Sequence, residues 1–181
     1  SKINSIILRF FNVCSSLKIN NKIIGEFHNP ETHLIPTIVY KNLLKKNFFI
    51  YGKNYNTIDG TCIRDYVHIS DICDAIDRSV TYLFKNDKKF QIINIGSSSR
   101  NTNMEILKKI EKITKIKSFY NIVDRRKGDV DLLVCSNSKA KKILNWEPQK
   151  SNINNIIKGE IRWAKFLIKN HQKRIFKNYL K

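Results

Sequence analysis

Apolar positions along the chain follow two rhythms. Ile3 to Phe11 is almost continuously β-branched or aromatic, which predicts a buried strand of the parallel type. Val13 to Glu31 carries Ser, Asn, Gly and Pro and predicts a long loop, of the kind that is usually functional or mobile. Thr32 is placed to cap a helix whose apolar positions are Leu34, Ile35, Ile38, Val39, Leu43 and Leu44. The run "NFFIYG" predicts a short strand, and Gly52 to Gly60 a turn-rich loop. Ile63 to Ile69 alternates as a strand, with Ile63, Asp65, Val67 and Ile69 on one side, and Ser70 is placed to cap a helix reaching about Phe84. "KFQIINIG" predicts a second buried strand, closed by Gly96. Thr102-x-x-Glu105 has the form of a capping box opening a helix with Ile106, Leu107, Ile110 and Ile113. "SFYNIVD" predicts a strand, "RRKGD" a charged turn, and Ser138 to Leu144 a short helix ended by Trp146-Glu147-Pro148. From about Ser151, Ile153, Ile156, Ile157, Ile161, Ala164 and Leu167 recur at helical spacing. Strands alternating with helices predict an α/β fold.

Composition narrows the setting. A hydrophobic content of 41% supports a real core. No apolar run approaches the roughly 20 residues of a membrane helix, and the opening residues lack a secretory cleavage pattern. A cytoplasmic protein without membrane contact is therefore expected. Cys14, Cys62, Cys73 and Cys135 show no Cys-x-x-Cys spacing, so reduced thiols and no metal site are expected. The net charge of +19 raises the question of a nucleic-acid partner. The lysines are scattered and no basic-aromatic motif occurs, so no nucleic-acid partner is expected. The basic tail, 171–181, is expected to extend the last helix into solvent.

The charged positions at element ends are Arg64, Asp65, Asp71, Arg125, Arg126 and Asp129. A lone surface ion pair stabilises little. Two arginine turns meeting at one point would repel unless an anion lay between them. A diphosphate fits bidentate guanidinium forks, each charge-assisted bond contributing roughly 1.5–3 kcal/mol. Asp129 could accept hydrogen bonds from a ribose diol, and "NFFIYG" offers aromatic faces for a base. Core packing is the competing reading for Phe48, Phe49 and Tyr51.

Six stretches in order carry a resemblance: "LRFFN" (Leu8 to Asn12), "HNPETHLIP" (His28 to Pro36), "IYGKNYNTIDGTCIRDYVHISDI" (Ile50 to Ile72), "INIGSS" (Ile93 to Ser98), "RRKGDVD" (Arg125 to Asp131) and "SKAKKILNWEP" (Ser138 to Pro148). Together they resemble the C-terminal half of the UDP-glucose 4-epimerase family, extended short-chain dehydrogenase/reductases. "DGTCIRDYVH" is the most specific of them. The resemblance implies an NAD-dependent isomerase of galactose and nucleotide-sugar metabolism. NAD takes hydride from carbon 4 of the hexose, the 4-keto intermediate turns over, and hydride returns to its other face. A loosely held hexose then requires a tightly held UDP. The resemblance implies that Arg64 and Arg126 clamp the diphosphate and that Asp129 binds the ribose. Phe49 and Tyr51 would flank the uracil, Asn12 would contact the UDP-glucose or UDP-galactose, and His33 and Leu34 would cover the diphosphate. Phe10 and Phe11 would lie by the nicotinamide. Leu133 falls where the size of the sugar pocket is set, and Phe10 stands where the family commonly has Tyr.

The Rossmann-like sheet is implied only in part. Residues 1–16 and about 62–96 would contribute to its remnant, and about 17–61 and 97–181 to the smaller substrate-binding subdomain and tail. The family's N-terminal half carries the Gly-x-x-Gly-x-x-Gly loop and the Tyr-x-x-x-Lys pair. Neither occurs here, so no catalytic residue is assigned and the chain alone is expected to be inactive. The family is a homodimer whose interface helices fall largely in that other half. A fragment of a sister sugar-nucleotide dehydratase or epimerase, and a UDP-sugar-binding module without chemistry, are the alternatives.

Overall fold

The computed structural model describes residues 3–28, 30–86 and 90–170, which form an α/β structure. The tail 171–181 lies outside the described residues. β1 (Ser5–Phe10) is parallel to the strand Phe90–Ile95, with Leu8 opposite Ile93. After Phe11 the chain changes partner. β2 (Asn12–Cys14) runs parallel to the strand Tyr66–His68, and the Asn12 amide donates to the Asp65 carbonyl at 3.2 Å. The outer side of β1 is open: Ile7 and Phe10 are each nearly half exposed, where burial on both faces was expected.

The expected loop at 13–31 contains a hairpin. β3 (Leu17–Ile19) and β4 (Lys22–Ile24) pair antiparallel around Asn20-Asn21, with Asn20 in the left-handed region at φ 53°. Asn tolerates that conformation better than most residues, because its short amide can hydrogen-bond locally. α1 (Leu34–Leu43) then begins at His33, not Thr32, and no side chain of its N-cap residue caps it. The Glu31 carboxylate accepts from the His33 amide at 2.7 Å instead.

β5 (Asn47–Tyr51) alternates strictly: Phe48 and Ile50 are buried, while Phe49 and Tyr51 face outward. The expected strand 63–69 is broken. β6 (Ile63–Arg64) and β7 (Tyr66–His68) have different partners, and Asp65 stands between them. α2 (Ile69–Lys85) is capped by the His68 ring, which accepts from the Ser70 amide; Ser70 itself lies inside the helix. β8 (Phe90–Ile95) follows. β9 (Asn101–Thr102) pairs antiparallel with β6 and leads into α3 (Asn103–Thr114), whose capping box is formed by Thr102 and Glu105. β10 (Phe119–Val123) lies parallel to β5, and β11 (Leu132–Leu133) lies parallel to β6. β11 thereby returns the turn 124–131 over Arg64. α4 (Ser138–Leu144) and α5 (Ile153–Asn170) complete the order.

Two cores result. One joins β7, α2, β8 and α4 through Val67, Ile72, Ile93, Ile95, Leu144 and Trp146. The other packs α1, α3 and α5 around β5 through Ile38, Val39, Ile50, Ile106, Ile110 and Ile157. Burying each such side chain stabilises by roughly 1.5–3 kcal/mol.

Two carboxylates near the arginines have structural tasks. Asp65, fully buried, accepts from the amides of Ser97, Ser98 and Cys135 at 2.9–3.1 Å and from the Ser97 hydroxyl at 2.5 Å. It locks the end of β8 to the segment at Cys135 that follows β11. Gly96 permits the approach, since a Cβ there would sit 2.6 Å from the Asp65 carboxylate. Asp71 accepts from the amides of Gln149 and Lys150 and from the Ser151 hydroxyl, tying α2 to the entry of α5.

Candidate functional site

A cleft of about 230 Å³ opens where β2, β5, β6 and the start of α1 meet the turn 124–131. Arg64 and Arg126 both line it, as do Asn12, His33, Leu34, Tyr51 and Asp129. The two arginine turns, 62 positions apart in sequence (126 − 64), therefore share one cavity.

Arg64 is held rigidly. One terminal nitrogen donates to the carbonyls of Ile63 at 2.9 Å and Val130 at 2.8 Å, and the other donates to Asp129 at 3.2 Å. Three of its five N–H donors are thus engaged, and its side chain is only 13% exposed. Asp129 also accepts from the Tyr55 hydroxyl at 3.4 Å, so it is braced from two sides. Burial, with the Asp129 charge beside it, raises the Tyr55 hydroxyl above its ordinary range and keeps it a donor. Arg126 is positioned differently. Its guanidinium lies over the Tyr51 ring at 4.0 Å from the centroid, an electrostatic attraction of about 0.5–1 kcal/mol at an exposed site. Arg125 lies 4.0 Å over the Tyr55 ring and donates to Asn54, so it serves the turn and not the cleft. The cleft thus offers one fixed cation, one stacked cation, a braced carboxylate and an aromatic edge.

Asn12 donates its side-chain amide to the Asp65 carbonyl at 2.7 Å, which aligns β2 at the rim. Phe49 is not in the cleft. It shares the Tyr51 face of β5 but lies one pleat further along, 53% exposed. A second cavity of about 690 Å³ adjoins the first, sharing Asn12, Cys14, His33 and Pro36 with it. Phe10, Phe11 and Leu133 line this larger space, as does Glu160. Glu160 is buried and accepts from the Ser15 amide at 3.3 Å, with the Cys14 thiol at 3.7 Å. Burial pushes its carboxyl from an ordinary value of 4.5 up to about 7. Burial likewise raises the thiols of Cys14 and Cys62, leaving both protonated.

The sequence pattern did not single out Tyr55 or Glu160. Tyr55 had a readable signal, as the lone aromatic in the loop Gly52 to Gly60. Glu160 had none, since its carboxylate sits on an amphipathic helix like any other.

The GDP-mannose 4,6 dehydratase family matches residues 2–158. A UDP-glucose 4-epimerase of Rhizobium meliloti is 40% identical over 148 residues, covering 81% of this chain and 44% of that protein. The chain belongs to the UDP-glucose 4-epimerase family. Among solved structures, a UDP-glucose 4-epimerase from Brucella ovis in complex with NAD superposes with a TM-score of 0.80. It is 30% identical, with 90% of this chain and 49% of that one covered. One from Bifidobacterium longum in complex with NAD+ and UDP gives 0.81 at 26% identity, covering 93% and 49%. The fold is thus part of the Rossmann-like extended short-chain dehydrogenase/reductase architecture. The chain spans about half the length of the epimerases it matches. No described helix is long and apolar enough to cross a membrane.

Proposed function

We propose that this chain supplies the UDP-sugar-holding half of a UDP-glucose 4-epimerase, which interconverts UDP-galactose and UDP-glucose in the cytoplasm. The observation that carries the proposal is the shared cleft of Arg64 and Arg126. Arg64 stands fixed by three hydrogen bonds, and Arg126 rides on Tyr51. Between them a diphosphate would neutralise both charges, and the rigidity of Arg64 lowers the cost of ordering it on binding. Asp129, braced by Tyr55 and Arg64, faces the cleft as an acceptor for a ribose diol. The edge of Tyr51 lies where a base would stack, with Phe49 too far along β5 to share that role. Asn12, His33 and Leu34 close the rim on the hexose and diphosphate side.

The larger cavity would take the hexose and one side of the cofactor. Its wall at Phe10 and Phe11 is apolar, which fits a nicotinamide edge. No Gly-x-x-Gly-x-x-Gly run stands in this sequence to cradle the dinucleotide's phosphates. When bound, NAD supplies the acceptor and donor of hydride at carbon 4. The chain's own part is to hold the nucleotide firmly while leaving the sugar free to turn. Residues 1–16 and about 62–96 would belong to the dinucleotide-binding sheet, and about 17–61 and 97–181 to the substrate side.

Calorimetry tests this reading. UDP should bind, and UMP, which lacks the second phosphate, should bind at least about tenfold more weakly, since one lost charge-assisted contact exceeds 1.4 kcal/mol. The chain alone should not epimerise UDP-galactose. Absence of UDP binding contradicts the proposed site, and turnover by this polypeptide contradicts its assignment as a binding half.

A further inference from the structure

From the chemistry gathered at the rim of the larger cavity we infer that Glu26, His28 and His33 form a binding site for a divalent transition metal of the Zn²⁺ class. One ligand atom from each of the three lies within 4.8 Å of the others, and all three residues line the larger cavity. Sequence spacing gives no metal signature here. The hairpin creates the site: the segment leaving β4 carries Glu26 and His28 back across the start of α1, where His33 stands.

The three residues stand close enough to share one ion once their side chains turn. His28 Nδ1 faces His33 Nδ1 at 3.2 Å, and Glu26 Oε1 lies 3.1 Å from His28 Nε2. With metal–ligand distances of about 2.0–2.2 Å, neighbouring ligand atoms in a tetrahedral site stand roughly 3.4 Å apart. Glu26 and His33 meet different nitrogens of the His28 ring, so the His28 and Glu26 side chains must turn to bring one atom from each residue round a single centre. A fourth position then opens toward the cavity, where water or an anion's oxygen could enter. The donor set, imidazole nitrogen and carboxylate oxygen without thiolate, suits Zn²⁺ and its neighbours.

The surroundings hold the ligands in place. Trp163 Nε1 donates to the Glu26 carbonyl at 2.7 Å, and its ring packs on Gly25, where any Cβ would collide with it. Glu31, whose side chain is 4% exposed, accepts from the His33 amide and lies 3.0 Å from the His33 ring. That contact is made to Nδ1, the nitrogen that also faces His28, so a metal on Nδ1 would displace it, whereas ligation through Nε2 would leave Nδ1–H donating to the carboxylate. The competing arrangement is two histidine–glutamate ion pairs. That arrangement leaves the two facing nitrogens, 3.2 Å apart, to share one proton between the rings, and a metal would take its place.

Titration of Co²⁺ into the whole chain, followed by its visible ligand-field absorption, tests the inference. One equivalent should give a saturable band, and excess Zn²⁺ should abolish it. The band should persist in His171→Ala, which removes a histidine of the tail. It should weaken at least about tenfold in His28→Ala and His33→Ala. His33 caps α1 by backbone alone, so its truncation removes no helix cap. Should His33→Ala still unfold, Glu26→Gln and His28→Ala act on side chains 55% and 45% exposed and give the same readout. No band in the unmodified chain, or an undiminished band in His28→Ala and Glu26→Gln, overturns the site.

Discussion

Replacing Glu160 with Gln should stabilise the chain, and far more at pH 8 than at pH 5. The carboxyl is buried on α5 with one amide, that of Ser15, and one weak donor, the Cys14 thiol, beside it. Burial raises it to about 7 from an ordinary 4.5, with Glu31 and Glu26 adding in the same direction. An acid whose folded value lies above its unfolded value contributes stability that is fully present below about 4.5. That stability is lost as the pH climbs, and the loss is complete once the pH passes about 7. At about 1.4 kcal/mol per pH unit, the rise from 4.5 to about 7 amounts to roughly 3 kcal/mol by pH 8 and less than about 1 kcal/mol at pH 5. Gln keeps an acceptor for the Ser15 amide and cannot ionise, so it escapes the penalty. Thermal unfolding followed by the fluorescence of the buried Trp146 and Trp163 reads the difference. For a chain of this length the expected gain is about 6–12 °C at pH 8, shrinking to a few degrees at pH 5. An equal shift at both pH values, or a loss at pH 8, would refute the reasoning.

Three further outcomes follow from particular contacts. Asp65→Ala leaves the buried Cys135 amide without its acceptor, at about 1–3 kcal/mol, and the part-buried amides of Ser97 and Ser98 without theirs at a smaller cost, so the urea midpoint of unfolding should fall clearly. Gly96→Ala should destabilise by about 1–3 kcal/mol in a urea titration, because its Cβ meets Cys135 and the Asp65 carboxylate. A thiol reagent applied to the folded chain should label the exposed Cys73 alone; the buried Cys14, Cys62 and Cys135, the last with its thiol pushed up to about 12 by burial, should react only on unfolding.

The helices were legible because their signal is local and long. α1, α3 and α5 each bury a face spaced at 3–4 residues, and the Thr102 capping box is readable from two letters. The hairpin β3–β4 escaped because three-residue strands show too little alternation, and only Asn20-Asn21 marked it. β9 and β11 are two residues long and exist because β6 offers them edges, so no pattern within them could announce a strand. The arginine cleft was legible as charge at element ends. The opposite fates of neighbours Arg64 and Asp65 were not, since the donors that claim Asp65 come from residues 97, 98 and 135. Phe49 does not line the cleft: strand parity sets it on the Tyr51 face, but not how far along that face the cleft reaches. The outer side of β1 stays open, with Ile7 and Phe10 half exposed, although its nearly all-apolar sequence predicts covering on both faces.

The sharpest measurement is a double-mutant cycle on Arg64 and Arg126 with UDP as the ligand. If one diphosphate lies between the two guanidinium groups, Arg64→Ala and Arg126→Ala should each weaken UDP binding by roughly tenfold or more. The double variant should lose less than the sum, while UMP should discriminate little between them. UDP binding that is unchanged in either single variant would contradict the shared-cleft account.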